Sequence, residues 1–340
     1  MTKVGGVHYI YPILMNVSVI IPVYNVEKFI RRCADSLMRQ SIRESIEFIF
    51  VNDCSPDSSM TVLQEVLEQY PERQPYVKIV THQTNLGLPS ARNTGLSLAT
   101  GKYIFQCDSD DYLETDALEQ LFAAAEQHCA DIVWCDWFLS FEQRERYMQQ
   151  PQYTTADDAV RGMLHGRMKY NVWNKLALRS LYEQNGIRFP DGHSMGEDMT
   201  MIRLYACASN VAYLPKALYH YVKTNGEALT NNFSEKNLLD IHHNVDATLD
   251  FLIQKRGSEF FEDIPCFKLS VKYPFLITAN HNIYTLWQEW YPEANDYIQR
   301  LTNVSLRSRI LQYAAWKKQF WIIWIHYQVI YRLVYGFIYK

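Results

Sequence analysis

Three carboxylates stand within four residues, at Asp108, Asp110 and Asp111, after a short apolar run. Carboxylates this close repel one another, so at least one should have a raised pKa unless a cation neutralises the group. A hard divalent metal is the expected resident, because Mg²⁺ and Mn²⁺ prefer oxygen ligands, and a magnesium site needs only one or two carboxylates besides substrate phosphates. The alternative is a solvated loop before a helix, with Asp116 and Glu119 as a capping box.

Glu197 and Asp198 form a second acidic pair, between a loop of turn residues at 189–196 and an apolar helix predicted at 199–207. The helix macrodipole favours acids at a helix N-terminus, so a structural role at the start of the helix is one interpretation of this pair. A role in chemistry is the competing interpretation.

The elements that must position these acids are predicted to alternate between strands and helices. Val17–Val23 is a β-branched run, typical of a parallel strand buried on both faces. Further strands are predicted at 48–51, 77–80, 103–105 and 132–137, and helices from 27 onward and at 60–70, 89–99 and 118–128. The order βαβαβ predicts an α/β fold with a parallel sheet and right-handed crossovers. Farther along the chain, 142–153 is predicted as a loop, 172–178 as a short irregular run, 217–222 as a closing strand and 267–290 as helical.

Polar residues follow the first three predicted strands, at the sheet edge where ligands of such folds bind. They are Pro22, Tyr24, Asn25 and Glu27, then Asn52, Asp53, Ser55 and Asp57, and then Asn85 to Gly87. Ser55 and Asp57 are typical of turns and N-caps, so a structural role is favoured for them. Asp53 lies at the strand exit and is the stronger candidate for a ligand contact.

Arg92 and Asn93 lie near the N-terminus of the helix predicted at 89–99. Backbone N–H groups and an arginine at such a position suit a phosphate, whereas an ion pair or a surface position is the alternative for Arg92. The sequence has no GxGxxG, and residues 95–103 miss the P-loop spacing and lack a Ser or Thr after Lys102, so both of these nucleotide motifs are excluded.

The composition is that of a folded globular protein of 340 residues with a formal net charge of -4, and no nucleic-acid partner is expected. Seven cysteines without a CxxC pair argue against a disulfide framework or a zinc ribbon and favour a reducing, cytoplasmic setting. Residues 1–16 lack the layout of a signal peptide and are expected to be an N-terminal extension.

The C-terminal segment 306–339 is basic and aromatic, and no acidic residue follows Asp296. Its uncharged stretch Gln319–Tyr331 is too short for a transmembrane helix. An in-plane helix that docks on anionic lipid at the cytoplasmic face of a membrane is expected. A buried aromatic helix or a homodimer helix is the alternative.

Several stretches together resemble the family 2 glycosyltransferases with a GT-A fold. They are VSVIIPVYN, the strand leading into VNDCSPDSS, NLGLPSARNTGLSLATGKYIFQCDSDDYL, and WNKLALRS with a later GEDM, in the family's order. The resemblance implies a Rossmann-like, mostly parallel sheet flanked by helices. It also implies a nucleotide-sugar-binding half at 17–140 and an acceptor-binding and catalytic-base half at 141–225. The helical patterns and the basic aromatic tail farther along predict a helical C-terminal region at 226–340.

The resemblance further implies roles for single residues. Asp108 and Asp110 correspond to the DXD motif, with Asp110 as the direct metal ligand and Asp108 nearer the sugar or ribose. The nucleotide sugar would be contacted by Pro22, Tyr24, Glu27, Asp53, Asn85, Arg92, Asp108 and Ser109. Asp198 would be the general base with Glu197 beside it, and Trp173 and Lys175 are expected to contact the acceptor. Two residues depart from the family pattern: Asn52 replaces a frequent Asp, and Cys54 stands where Gly is usual.

The expected function is inverting transfer of a sugar from a nucleotide-diphosphate sugar, with a UDP-sugar as the first expectation. The acceptor would be a hydroxyl of a glycan or a lipid-linked acceptor in surface polysaccharide synthesis, and Mn²⁺ or Mg²⁺ with Arg92 would neutralise the leaving diphosphate. A sugar nucleotidyltransferase is one alternative, although it should carry a Gly-rich basic loop that Pro22 to Glu27 does not provide. A non-catalytic sugar- or partner-binding module is the other, disfavoured because both acidic groups are present.

Overall fold

The computed structural model describes residues 15–43, 45–223, 235–301 and 304–335. The expected N-terminal extension, apart from its last two residues, lies outside the described part of the chain.

Nine strands of the described chain form one sheet. They are β1 (Val17–Val23), β2 (Ile46–Asn52), β3 (Val77–Thr81), β4 (Tyr103–Gln106), β5 (Tyr112–Leu113), β6 (Ile132–Ser140), β7 (Glu145–Met148), β8 (Lys175–Leu178) and β9 (Val211–Val222). Their order is β3-β2-β1-β4-β8-β6-β9-β5, and β7 pairs with β6. The parallel pairing of β1 to β4 confirms the βαβαβ prediction. Antiparallel pairing of β5, β7 and β8 makes the complete sheet mixed.

Helices flank the sheet and dominate the C-terminal region, as expected. They are α1 (Ile30–Met38), α2 (Ser59–Leu67), α3 (Leu88–Leu98), α4 (Ala117–Gln127), α5 (Ala156–Leu164), α6 (Arg179–Gln184), α7 (Thr200–Tyr205), α8 (Glu235–Arg256), α9 (Ile264–Lys272), α10 (His281–Glu289), α11 (Leu306–Trp316) and α12 (Phe320–His326). A π-helix, Tyr327–Tyr335, continues α12. No helix of the described residues combines the length and the apolar character needed to cross a bilayer.

The central strands β1 and β2 are formed by apolar runs of the sequence. Every residue of β1 and β2 is buried, which is typical of parallel strands covered on both faces. The chain comes very close to β1 just before β4 begins. A Cβ at Gly101 would lie 2.5 Å from the backbone nitrogen of Ser18, so only glycine fits there.

Four local predictions differ from the structure. The polar segment 142–153, predicted as a loop, contains β7, because an exposed edge strand needs little apolar signal to pair with β6. The run 172–178 contains β8, and the closing strand begins at Val211 rather than at 217. The helix predicted over 267–290 is interrupted after α9 by a 3-10 turn at Tyr273–Leu276 that contains Pro274, which has no N–H for a helical hydrogen bond.

The chain divides into two compact units. The first comprises residues 1–150, 171–198 and 208–240 and contains the whole sheet. The second comprises residues 151–170, 199–207 and 241–340 and is helical where the structure describes it.

Candidate active site

The first acid cluster forms the turn that follows β4. The backbone nitrogen of Asp111 donates to the carbonyl of Asp108 at 3.1 Å and closes the turn. The nitrogen of Cys107 donates to the carbonyl of Ile20 on β1, so pairing of the central strands continues up to the acids. Asp108 and Asp110 are partly exposed, whereas Asp111 is buried. The turn thus presents two of its three carboxylates.

Asp111 is engaged by β9. Its Oδ2 accepts a hydrogen bond from the Tyr219 hydroxyl and its Oδ1 accepts one from the Val222 nitrogen, both at 2.7 Å. The Tyr219 hydroxyl also accepts a hydrogen bond from the backbone nitrogen of Asp108. Burial, with Asp110 and Asp108 nearby, raises the pKa of Asp111 well above its usual range. Asp111 therefore anchors the turn to β9, a role that the sequence left open.

The capping-box alternative for this region is wrong. Asp116 lies at the N-cap of α4 but makes no side-chain hydrogen bond to the helix. It pairs instead with Lys216 at 3.5 Å, and the carboxylate of Glu119 accepts a hydrogen bond from Ser41.

Arg92, on α3, connects the first acid cluster to the core. Its side chain is only 1% exposed, and its guanidinium donates to Asp108 Oδ1 at 2.9 Å and to Gln106 Oε1 at 3.2 Å. Burial alone would lower the pKa of Arg92, but the charges of Asp108, Glu197 and Asp198 raise it. The sequence allowed two roles for Arg92, a contact with a phosphate or an ion pair. The structure shows an ion pair with Asp108.

Glu197 and Asp198 begin the 3-10 turn Glu197–Met199, and their charges act on the same guanidinium. Burial raises the pKa of both carboxyls, and Arg92 counteracts this for each of them. Among the described residues, no hydrogen-bond partner reaches the buried Asp198 Oδ1. A buried carboxylate oxygen without a donor is costly unless a ligand supplies one, which is typical of a functional site.

Asn93, next to Arg92 on α3, holds the loop that leads to Glu197. Its Nδ2 donates to the Phe189 carbonyl and to Asp191 Oδ1, and its Oδ1 accepts from the Phe189 nitrogen, each at 2.9 Å. The Arg92 guanidinium lies 5.7 Å from the centre of the Phe189 ring. One turn of α3 therefore contacts the first acid cluster through Arg92 and the loop before the second acidic pair through Asn93.

The donor set suits a hard divalent cation that binds together with a phosphate. Asp108 and Asp110 offer oxygen ligands, and the charge of Arg92 is shared between Asp108 and the second acidic pair. Within the described ranges no group of three or more His, Cys, Asp or Glu side chains is arranged to hold a metal by itself. Two protein carboxylates completed by phosphate oxygens fit Mg²⁺ or Mn²⁺, which keep only a few protein ligands.

The loop after β1 is tied to the start of α2. Asp57 Oδ2 accepts from the Glu27 nitrogen, and the Glu27 carboxylate accepts from the Ser58 nitrogen. Burial alone would raise the pKa of Asp57, but hydrogen bonds from Ser59 and Ser55 lower it to about 2. The structural role favoured for Asp57 and Ser55 is confirmed.

The predicted nucleotide contacts around this loop differ in exposure. Pro22 and Ser109 are buried, whereas Tyr24, Glu27 and Asn85 are exposed. Their contacts with a nucleotide sugar stay predictions. Cys54, which stands where the family usually has Gly, adopts a left-handed φ of 57°, so the turn keeps the glycine conformation at a cost in strain.

Asp53 is almost fully buried, and its carboxylate holds the loop after β3 in place. Its two oxygens accept hydrogen bonds from the Leu86 and Gly87 nitrogens, each at 2.8 Å, and Oδ1 lies 2.7 Å from His82 Nδ1. The observed partners of Asp53 all belong to the protein. A contact between this carboxylate and a base or ribose stays a prediction.

The two expected acceptor contacts are buried in the structure. Trp173 stacks on Tyr219 and Tyr221, with ring centroids 4.6 Å and 5.3 Å apart. Lys175 donates to the Asn171 carbonyl and to Asn174 Oδ1, both at 2.7 Å, and burial lowers its pKa to about 7 against the opposing charge of Asp198. These contacts support the fold, and direct acceptor contacts by either residue stay predictions.

Sequence reasoning missed three side chains that position the site: Gln106, Tyr219 and, in the role described here, Asn93. Gln106 is a buried amide at the end of an apolar strand, which is a signal for a polar partner. The sequence carries no comparable signal for Tyr219, since its partner Asp111 is more than a hundred positions away.

The sequence model of glycosyl transferase family 2 matches residues 18–200, more than half of the chain, and spans every acid described above. The chain belongs to this family. Uncharacterized glycosyltransferase EpsJ of Bacillus subtilis is 36% identical over 222 residues, covering 63% of this chain and 62% of EpsJ. Poly(ribitol-phosphate) beta-N-acetylglucosaminyltransferase TarS of Staphylococcus aureus is 28% identical over 225 residues, which cover 65% of this chain and 38% of TarS. The chain thus spans less than two thirds of these relatives.

Solved structures show the same GT-A fold. The structure of S. aureus TarS 1–349 with UDP superimposes with a TM-score of 0.64 at 21% identity, covering 94% of this chain and 91% of that one. TarS 1–349 with UDP-GlcNAc gives a TM-score of 0.61 at 20% identity, with coverages of 94% and 92%. The mannosyltransferase PcManGT of Pyrobaculum calidifontis, in complex with GDP-Man and Mn²⁺, gives 0.52 at 15% identity, with coverages of 90% and 87%.

Replacing Asn93 with Ala is expected to lower the kcat of glycosyl transfer by about 10- to 100-fold while leaving the KM for the donor nearly unchanged, because the loop before Glu197 loses its three hydrogen bonds. Steady-state kinetics measure both constants. Asn185→Ala, which removes one bond to the Leu181 carbonyl, is the matched control and should retain kcat. An equal rise in KM with unchanged kcat would assign Asn93 to donor binding instead.

Proposed function

We propose that the protein is an inverting glycosyltransferase that moves a sugar from a nucleotide-diphosphate sugar to a hydroxyl group. The observation that carries the proposal is the surroundings of Arg92, whose guanidinium pairs with Asp108 from the first acid cluster and lies close enough to Glu197 and Asp198 for their charges to raise its pKa. Glycosyl transfer needs positive charge at a leaving diphosphate and a carboxylate at the acceptor hydroxyl. Both kinds of group meet at Arg92.

Asp198 is the proposed general base. Its buried Oδ1 has no donor among the described residues, so an acceptor hydroxyl can supply the missing hydrogen bond. As the acceptor oxygen forms its bond to the anomeric carbon, the bond from that carbon to the diphosphate oxygen breaks, and the acceptor proton passes to Asp198. Glu197, adjacent and also facing Arg92, is proposed to contact the acceptor or the donor sugar.

Asp110 and Asp108 are the proposed ligands of a Mn²⁺ or Mg²⁺ ion. The ion would supply positive charge to the leaving diphosphate. Asp108 is shared with Arg92, so the guanidinium holds this carboxylate in a fixed orientation. The Mn²⁺ in the PcManGT structure supports a metal in this fold.

The proposed donor is a UDP-sugar, because the neighbour with the higher TM-score contains UDP or UDP-GlcNAc and the one with GDP-Man fits less closely. The transferred group would be a hexose or an N-acetylhexosamine. The proposed acceptor is a glycan or a lipid-linked glycan in surface polysaccharide synthesis, which the similarity to TarS, a poly(ribitol-phosphate) beta-N-acetylglucosaminyltransferase, supports.

The proposed setting is the cytoplasmic side of a membrane. All seven cysteines are free thiols in the structure, which agrees with a reducing compartment. A lipid-linked acceptor would place the enzyme at a membrane surface, and a homodimer through the C-terminal segment is the competing arrangement.

The deciding experiment incubates the full-length protein with Mn²⁺ and, in separate reactions, UDP-glucose, UDP-GlcNAc or GDP-mannose, and measures the phosphate products. Release of UDP from one UDP-sugar is expected. In a further reaction the protein is given a sugar phosphate and a nucleoside triphosphate as substrates. Release of pyrophosphate in that reaction would identify a nucleotidyltransferase. Tight binding of a nucleotide sugar without turnover in the presence of glycan acceptors would identify a binding module.

Replacing Asp110 with Ala is expected to abolish the dependence of nucleotide-diphosphate binding on Mn²⁺, because the site loses one of its two carboxylate ligands. Isothermal titration calorimetry with UDP, with Mn²⁺ or with EDTA, measures the effect. Asp116→Ala, at a carboxylate that pairs with Lys216, is the matched control and should keep the wild-type difference. If the Asp110 variant still binds UDP more tightly with Mn²⁺ than with EDTA, Asp110 is not a ligand of the metal.

A further inference from the structure

The last helices of the chain expose an unusual amount of apolar surface. Seven large side chains, called here the C-terminal apolar surface, are between 40% and 69% exposed: Leu306, Ile310, Tyr313, Trp321, Trp324, Ile325 and Val329. An exposed tryptophan is costly in water, and two of them within four residues are rarely left uncovered in a protein that works alone.

The exposed side chains follow helical spacing rather than a random scatter. On α11 they recur at Leu306, Ile310 and Tyr313, and the exposed Lys317 continues the same face. On α12 and the π-helix the stripe runs from Trp321 to Val329 and ends near the exposed Arg332. Each element therefore shows an apolar stripe with a cation at its end, the arrangement of a helix that lies in the plane of a membrane surface.

The charges that the chain carries after Asp296 have one sign. No acidic residue follows Asp296 in the sequence. Seven basic residues follow it: Arg300, Arg307, Arg309, Lys317, Lys318, Arg332 and Lys340. In the part of the chain that the structure covers, no carboxylate pairs with Lys317 or Lys318, and the Lys317 ammonium lies 3.8 Å from the centre of the Trp316 ring. Two copies of this surface would bring cations against cations, so its charge favours an anionic partner over a second copy.

A cavity of about 220 Å³ opens beside the stripe of α11. Its walls are mainly apolar, with Ile298, Ile310 and Ile322 among them. The polar side chains that line it include Gln299, Arg309 and Gln319. The buried Arg309 Nε has no hydrogen-bond partner among the described residues. An apolar hollow next to an unsatisfied guanidinium nitrogen suits a molecule with a hydrocarbon part and an anionic head.

We propose that the C-terminal apolar surface docks on a bilayer that contains anionic phospholipid, with α11 and α12 in the plane of the interface. The tryptophans would enter the headgroup region, where amphipathic rings are favoured, and the lysines and arginines would face the lipid phosphates. The docking concerns the second compact unit and does not depend on the catalytic assignments made for the first.

Vesicle sedimentation of the full-length protein, without donor or acceptor, tests the proposal. Wild-type protein should sediment with vesicles of equal parts phosphatidylcholine and phosphatidylglycerol, but not with phosphatidylcholine alone, and added salt should weaken binding. Trp321→Ser with Trp324→Ser should lower the partition coefficient by about tenfold or more, because both rings leave the interface. Leu98→Ser, at an exposed apolar residue of α3, is the matched control and should bind as wild type.

A second pair of variants tests the charges. Lys317→Glu with Lys318→Glu should abolish the preference for anionic vesicles, whereas Arg146→Glu, on the exposed strand β7, should not. Equal melting temperatures of wild type and variants would show that the fold is intact. Failure of the wild-type protein to bind anionic vesicles would overturn the proposal. The proposal would also be overturned if analytical ultracentrifugation showed that the wild-type protein is a dimer and that the tryptophan double variant is a monomer. That result would assign the surface to a second copy of the chain.

Discussion

Replacing Asp198 with Asn lowers the rate of glycosyl transfer by an expected factor of about 10²–10⁴, because the amide cannot accept the proton of the acceptor hydroxyl. The substitution is nearly isosteric, and the neighbouring Arg92 keeps its ion pair with Asp108. Metal-dependent binding of the nucleotide should therefore stay close to the wild-type level. Single-turnover rates with a saturating donor, together with calorimetric binding of UDP, measure the two properties separately.

Glu197 provides the sharpest comparison for this prediction, since it is the adjacent carboxyl group and Arg92 also counteracts the effect of burial on its pKa. Glu197→Gln should lower the rate less than Asp198→Asn does, because Asp198 Oδ1 is the oxygen that the described residues leave without a donor. Asp116→Asn, at a surface ion pair, should have no effect. Transfer by the Asp198 variant at a rate within a fewfold of wild type would rule out this residue as the base.

Replacing Arg92 with Met is expected to lower the free energy of unfolding by about 3–5 kcal/mol, because it removes one partner of a buried ion pair. Asp108 would lose its ion-pair partner, and Glu197 and Asp198 would lose the positive charge that lowers their pKa. Urea denaturation at neutral pH measures the loss. Arg31→Met, at a half-exposed pair with Glu65, is the control and should cost no more than about 1 kcal/mol.

The pH dependence of the Arg92→Met effect has a definite sign. Arg92 lowers the pKa of Glu197 and of Asp198, although burial raises both. The stabilisation that it contributes is therefore present when these carboxyls are ionised and is lost as they become protonated at lower pH. The difference in stability between wild type and variant should shrink as the pH falls from alkaline values to about 6, through the pKa of about 8 for Glu197 and of about 6 for Asp198. A difference that grew on acidification would contradict the ion-pair explanation.

The parallel half of the fold could be predicted because its signals are local. β1 and β2 are β-branched runs buried on both faces, and the helices between them have clear apolar periodicity. The antiparallel half could not be predicted in the same way. β7 is a short, mostly exposed strand whose pairing with β6 is set by tertiary contacts, and β8 follows directly on an irregular segment.

The acids could be found in the sequence, but their partners could not. Asp108, Asp111 and Asp53 look alike as carboxylates that follow strands, yet Asp111 binds β9 and Asp53 binds the nitrogens of Leu86 and Gly87. Which lone pairs remain available to a ligand depends on contacts between residues far apart in the chain. The meeting of Asp108, Glu197 and Asp198 around Arg92 has the same origin, since a shared guanidinium is a property of the folded chain only.

The adjacent residues Arg92 and Asn93 have a consequence for the spacing of the site. One contacts Asp108 and the other contacts Phe189 and Asp191, so a single turn of α3 is joined both to the first acid cluster and to the loop before Glu197. A shift of this turn relative to the sheet would therefore be felt at both places at once.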